Sequence, residues 1–262
     1  GKKMNLNLLG VLPVKSVDVK KVPETYVYPG GTPIGVRLTT KDVLVVSLSD
    51  VKCSSGKIIS PAAESGIQVG DMIININDTP INSSEDLIKQ IRLNKNNKLK
   101  AKIERKGKVL TKVITPVKDD TKNAYKIGLW VRDSTSGVGT LTFYDSKSSK
   151  FAALGHPITD VDTGNVLKIN KGEIVESSII SVRKGQKGNP GELRGIFINE
   201  NSTLGSVYKN TFCGIYGKSN VNLSTPKYDK PIKIALRNEI NEGPAKILTT
   251  IDGNERSEEH TS

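Results

Sequence analysis

Ile59-Ser60-Pro61-Ala62-Ala63-Glu64-Ser65-Gly66-Ile67-Gln68-Val69-Gly70-Asp71-Met72-Ile73-Ile74-Asn75-Ile76-Asn77 reads as three pieces in order. Ser-Pro-Ala-Ala opens a short helical turn that Gly66 stops, Val69-Gly70-Asp71 is a tight turn, and Met72 to Ile76 alternates as a strand. Upstream, Ile34 to Leu38 and Val43 to Ser47 read as two strands. Downstream, Asn82-Ser83-Ser84-Glu85 has an N-cap residue followed three positions later by an acid, a capping box. Leu87, Ile88 and Ile91 share one face of the helix it opens, with Lys89 and Arg92 off that stripe. Lys100 to Arg105 and Val109 to Val117 then form a hairpin around Lys106-Gly107-Lys108.

This run closely resembles bacterial PDZ domains. The resemblance implies an α+β module over 29–118 that adds an extended peptide to a sheet edge, between a strand and a helix, with backbone amides receiving a terminal carboxylate. By position, Ile34-Gly35-Val36 is the peptide-binding carboxylate loop and the helix from Asn82 to Leu93 the far wall. The competing reading makes Gly35 a tight strand entry and Leu87 and Ile88 core; Ile91 is core in either case.

Asp119 to Asn123 reads as a polar linker. Beyond it, short strands with Gly, Asn and Ser turns predominate: Tyr125 to Val131, Gly137 to Tyr144, Phe151 to Leu154, Ile174 to Val182, Arg194 to Ile198, Thr211 to Gly217, Pro231 to Leu236 and Ala245 to Ile251. Many short strands without long helices point to a barrel or a sandwich, and the reading taken is a barrel. Within it, His156 is the only histidine outside the last seven residues. It follows a hairpin made by Gly137 to Asp145 and Phe151 to Leu154, which puts an imidazole at the mouth of a strand pair.

That placement resembles the first barrel of trypsin-like serine peptidases. The strings Gly155-His156-Pro157-Ile158-Thr159-Asp160, Lys184 to Glu192 and Gly243 to Thr249 are more specific and resemble the stage IV sporulation protein B peptidase family, from about Pro29 to about Asp252. The expected fold is therefore mainly β, a PDZ domain followed over 119–255 by an incomplete trypsin-like β-barrel. The resemblance implies an exported sporulation serine endopeptidase that cleaves a regulatory protein between the membranes of a sporulating cell, near a membrane and with self-processing. It makes His156 the general base. The partner Asp and the nucleophilic Ser, in a Gly-Met-Ser-Gly-Ser-Pro type of motif, are expected beyond Glu255, so the full-length parent is the enzyme and the present chain is expected to be inactive. The alternative is a non-catalytic PDZ scaffold with a degenerate barrel.

Nearby residues suggest other chemistry and fall short of it. Asp160 and Asp162 read as turn residues or loop caps. Asp160 to Asn165 opens like a calcium loop but has Lys171 where the bidentate Glu belongs, so no metal is expected. Ser177, Ser178 and Ser181 are strand serines outside any Gly-x-Ser-x-Gly elbow. Gly185 to Gly191 lacks the Gly-Lys-Ser/Thr ending of a phosphate loop, and no cofactor is expected. Cys53 and Cys213 form no Cys-x-x-Cys and read as incidental thiols.

The formal charge is +12, yet the lysines are spread among many Asn and Ile residues with no recognition helix, which speaks against a nucleic-acid partner. The segment Leu6 to Val14 is too short to span a bilayer and is broken by Gly10 and Pro13. Residues 1–28 are expected to follow a membrane anchor or signal. Arg256-Ser257-Glu258-Glu259-His260-Thr261-Ser262 is a frame translation of a common sequencing-library adaptor, AGATCGGAAGAGCACACGTCT, so 256–262 are expected to be non-native and to make no specific contacts.

Overall fold

The computed structural model describes residues 2–9, 11–19, 22–53, 56–121, 123–188, 191–225, 230–253 and, as backbone, 255–261. The N-terminal strands β1 (Lys2–Leu8) and β2 (Leu12–Val19) form a two-stranded sheet of their own, with Leu6, Leu8 and Leu9 exposed. Next come β3 (Tyr26–Pro29) and a 16-residue strand, β4 (Pro33–Leu48).

The sequence reading divides β4 into two strands, and the structure joins them. The joint lies at Thr40, which is buried and whose hydroxyl donates to the carbonyls of Asp42 (2.6 Å) and Asp133 (3.2 Å). With that polar group satisfied inside the sheet, the chain continues extended rather than turning.

The second half of β4 begins the PDZ unit. β5 (Val51–Lys52) and β6 (Ile58–Ile59) pair with each other and lead into α1 (Pro61–Glu64), with Pro61 at the first turn. β7 (Met72–Ile76) pairs with Val43 and Leu44 of β4, β8 (Thr79–Pro80) with β7, and α2 (Ser84–Asn94) follows. β9 (Leu99–Arg105) and β10 (Lys108–Ile114) complete that side of the sheet. Val43, Val45, Ile73, Leu87, Ile91 and Ile103 belong to its buried cluster.

The α2 cap sits one residue later than the sequence places it. Ser83 is the N-cap and accepts from the Asp86 N–H at 3.1 Å, while the Asp86 carboxylate accepts from the Asn82 N–H at 3.1 Å. The Val69-Gly70-Asp71 turn is tied to β9 by a fully buried carboxylate: Asp71 accepts from Arg105 Nε at 2.6 Å and Nη2 at 2.7 Å. The expected linker is itself a hairpin, β11 (Val117–Asp119) with β12 (Ala124–Lys126). Buried Asp119 accepts from the Thr121 N–H at 2.7 Å and pairs with Lys126.

β13 (Leu129–Asp145) turns the chain back toward β4. With β14 (Lys150–Ala153), β15 (Ile169–Arg183), β17 (Thr203–Thr211) and β18 (Gly214–Ser219) it closes a six-stranded barrel in the order β4-β15-β17-β18-β14-β13 and back to β4. β16 (Glu192–Phe197) pairs along β15. Ile34, Val36, Leu141, Phe151, Ile174 and Ile215 fill the interior. The predominantly β fold, PDZ plus barrel, agrees with the sequence reading. In space the units interlock: residues 33–40 of β4 are barrel staves while 43–48 belong to the PDZ sheet, and β13 runs beside both halves.

The C-terminal region is sparser than its pattern suggests. Of the strand expected over Pro231 to Leu236, only β19 (Ile232–Lys233) forms, against β3. β20 (Ala245–Asp252) pairs with β21 (Glu255–Thr261), so the tail, expected to make no specific contacts, supplies a strand through its backbone. Backbone N–H and C=O groups pair whatever side chains they carry, and β20 offered an open edge. Thr250 fastens β20 to the body, its buried hydroxyl donating to the Gly31 carbonyl at 2.9 Å. Among the described residues, no helix is long and apolar enough to cross a membrane.

Candidate active site

Local sterics present His156 at the barrel rim. Leu154 and Gly155 follow β14 with φ of 76° and 78°, so two left-handed residues swing the chain out of the strand. For a leucine this conformation costs about 1–2 kcal/mol. Its side chain offsets the cost by packing against the barrel cluster. Gly139 makes the room: a Cβ there would lie 1.9 Å from Leu154 Cδ2.

His156 is exposed and lines a cleft of about 540 Å³ together with Gly139, Leu154, Gly191, Glu192 and Leu193. Residues from two of the three strings singled out in the sequence thus meet at one cleft. The third string, around Leu248, lies instead against Gly31. His156 Nδ1 is 3.0 Å from the Pro157 carbonyl oxygen. In the tautomer that donates to this carbonyl, Nε2 is left as a proton acceptor facing solvent.

The loop that follows is held from two sides. The Asn210 side chain accepts from the Ile158 N–H at 2.9 Å and donates to the carbonyls of Ile158 (2.8 Å) and Leu167 (3.0 Å). On the other side Asp160, with no side-chain exposure, pairs with Arg132 of β13 and accepts from the N–H groups of Asp162 (3.1 Å) and Thr163 (2.9 Å) and from the Thr163 hydroxyl (3.1 Å). Burial pushes the Asp160 carboxyl up, and the bonds from Arg132 and Thr163 outweigh it, holding the group below the usual carboxylate range. Arg132 also reaches Asp162 at 2.8 Å. Asp160 is thus the loop cap that the sequence suggests. Arg132 and Asn210 are the residues sequence reasoning missed; each lies in a polar run, Arg132-Asp133-Ser134 and Lys209-Asn210-Thr211, that does nothing to single it out.

The peptide-binding assignment of Ile34, Gly35 and Val36 is corrected by the structure. These residues pair with Gly139, Val138 and Gly137 of β13 on one side and with Glu176, Val175 and Ile174 of β15 on the other. Ile34 and Val36 point into the barrel core, and a Cβ on Gly35 would meet Phe197 and Val175 at 2.6–2.7 Å. A strand with both edges paired and both faces covered has no place for an added peptide. Ser177, Ser178 and Ser181 lie in β15, and Ser177 is buried. Among the described residues, no serine or carboxylate is hydrogen-bonded to His156, and no group of three or more His, Cys, Asp or Glu is arranged to hold a metal. Cys53 is buried and Cys213 exposed, and both are free thiols.

A PDZ unit interlocked with a closed β-barrel whose rim carries a histidine cleft is the architecture of a PDZ-bearing peptidase. The chain belongs to the SpoIVB peptidase S55 family, which it matches over residues 123–261, and it matches the PDZ domain family over 33–115. It is also 35% identical over 80 residues to a Bartonella henselae protein whose name places it with the zinc metalloproteases. That stretch is 30% of this chain, and the chain spans 22% of that relative's length.

Proposed function

We propose that the protein acts as an exported sporulation serine endopeptidase, cleaving a regulatory protein to trigger signalling between compartments, with His156 as general base. The supporting observation is the cleft itself: an accessible imidazole with Nδ1 occupied by a carbonyl, on a loop fixed from both sides, within the region that matches the peptidase family. Nε2 of such a residue takes the proton of a serine hydroxyl as that oxygen attacks the scissile carbonyl, then returns it to the leaving amine. The serine comes from outside the groups that touch His156 here, as does the orienting carboxylate, which takes the place of the Pro157 carbonyl at Nδ1. The protein substrate, self-processing and proximity to a membrane belong to this proposal.

One observation favours a second reading, a PDZ-based binding protein with an inactive barrel: among the described residues, His156 has neither a serine nor a carboxylate as hydrogen-bond partner. Hydrolysis of a protein substrate, blocked by diisopropyl fluorophosphate and untouched by a zinc chelator, supports the serine peptidase. Inhibition by the chelator alone refutes it, and absence of hydrolysis favours the binding protein.

A further inference from the structure

The His156 cleft does not end at the imidazole. It shares Ser136, Gly137, Val138, Glu192 and Leu193 with a second open cleft of about 820 Å³, which runs on along β16 to Phe197 and Glu200. The two make one trough leading away from the barrel rim. Two unpaired strand edges border it. β4 takes one edge of residues 134–139 of β13, and among the described residues no strand pairs with the other, since β14 begins opposite Leu141. β16 pairs along one edge with β15 and, among the described residues, with no strand along the other. Open edges of this kind are templates for a further extended chain. One face of β16 lies on the barrel: a Cβ on Gly195 would meet Val138 at 3.1 Å, and Phe197 sits against Gly35. Gly137 lines both clefts, and a Cβ there meets no atom within 4 Å, so it is the missing side chain that leaves the trough open.

The end of the trough beside His156 is basic. Residues 183–194, the turn from β15 into β16, carry Arg183, Lys184, Lys187 and Arg194 against one acid, Glu192. Glu192 pairs with Arg183 at 3.3 Å and lies 3.7 Å from Arg194, and Lys184 and Lys187 are exposed beside them. Gly191 ties this turn to the cleft: it lines the cavity with His156, and a Cβ on it would meet the Gly185 backbone at 2.9 Å. The far end holds Glu200, paired with Arg37. We infer that the trough receives an extended, acid-bearing segment of the protein substrate. Its backbone pairs with the open strand edges, and a carboxylate side chain meets Lys184 and Lys187 at the His156 end. Leu193 to Phe197 is four strand steps of about 3.4 Å, about 14 Å, which seats five residues. This inference rests on the peptidase proposal for calling the occupant a substrate.

The whole 262-residue chain is titrated with the labelled pentapeptide Glu-Thr-Val-Thr-Glu, blocked at both ends. Lys-Thr-Val-Thr-Lys and a form of the Glu peptide with N-methylated backbone amides are compared with it, following anisotropy and the ring-proton signal of His156. The Glu peptide should bind saturably and shift that signal, and the other two should bind about tenfold more weakly or worse. Lys184→Glu with Lys187→Glu should lose binding to the same extent, and so should Gly137→Val, each with an unchanged circular dichroism spectrum. Lys89→Glu with Arg92→Glu makes the same change of charge on the exposed side of α2 and should bind like the parent. No saturable binding of the Glu peptide, equal binding of the Lys peptide, a Gly137→Val variant that binds like the parent, or an equal loss in the α2 variant overturns the inference. Binding without hydrolysis would leave the trough standing and count against the peptidase proposal alone.

Discussion

Asp160→Asn isolates the clamp on the His156 loop. The carboxylate accepts four bonds: Oδ1 takes the Asp162 N–H, the Thr163 N–H and the Thr163 hydroxyl, while Oδ2 takes Arg132. An asparagine of the same shape keeps one acceptor. If its oxygen stays with the Asp162 and Thr163 donors, its NH2 faces the Arg132 guanidinium, donor against donor. The loss is one charge-assisted bond plus an unsatisfied buried donor, about 2–3 kcal/mol. Arg132 is 32% exposed and keeps Asp162, which places the cost below the 3–5 kcal/mol of a fully buried broken pair.

Linkage adds a pH signature. The folded pKa of Asp160 lies below its unfolded value of about 3.9. Its contribution is therefore complete above the unfolded pKa and is lost as pH falls through the folded one. Urea midpoints from Trp130 fluorescence at pH 7 and across the acid range should show Asp160→Asn destabilised at pH 7, with the gap to the parent narrowing in acid. A difference under about 0.5 kcal/mol at pH 7, or a gap that widens in acid, would refute the clamp.

Other substitutions test the packing. Gly217→Ala puts a Cβ 2.2 Å from the buried Phe151 ring and 2.3 Å from the Ser206 carbonyl oxygen, so it should cost about 3 kcal/mol or more in thermal unfolding, read by circular dichroism. Arg105→Met leaves the fully buried Asp71 carboxylate without its cation; a loss of about 3 kcal/mol or more is expected, and a midpoint like the parent's would contradict the role given to that pair. Asn210→Ala removes three bonds from the loop after His156 and should speed hydrogen exchange at Ile158 while leaving β9 and β10 unchanged.

The PDZ half was legible because its signals are local. Pro61 opens a turn, Gly66 at φ 79° stops it, and Gly70-Asp71 makes the next bend, each within a few residues of its cause. His156 was legible for the same reason, carried by a hairpin with Gly139 placed to accommodate Leu154. Strand partners were not. Alternation marks Ile34 to Leu38 as a strand, and it fits a peptide-binding edge as well as a barrel stave; only the long-range pairing with Val138 and Val175 decides. Arg132 and Asn210 act on groups 28 and 52 residues away, a separation no periodicity reveals. The polar run Asp119 to Asn123 looked like a linker because buried Asp119 cannot be told from a solvated one until Thr121 and Lys126 are placed around it.

The central claim is that the imidazole at the barrel rim activates a serine nucleophile, and labelling by a fluorophosphonate probe measures it directly. The protein and its His156→Ala variant are compared at equal folded fraction, since the exposed ring can be removed without opening the core. The account predicts covalent labelling of one serine in the parent and a loss of at least about a thousandfold in labelling rate in the variant. Equal rates in the two proteins would contradict it.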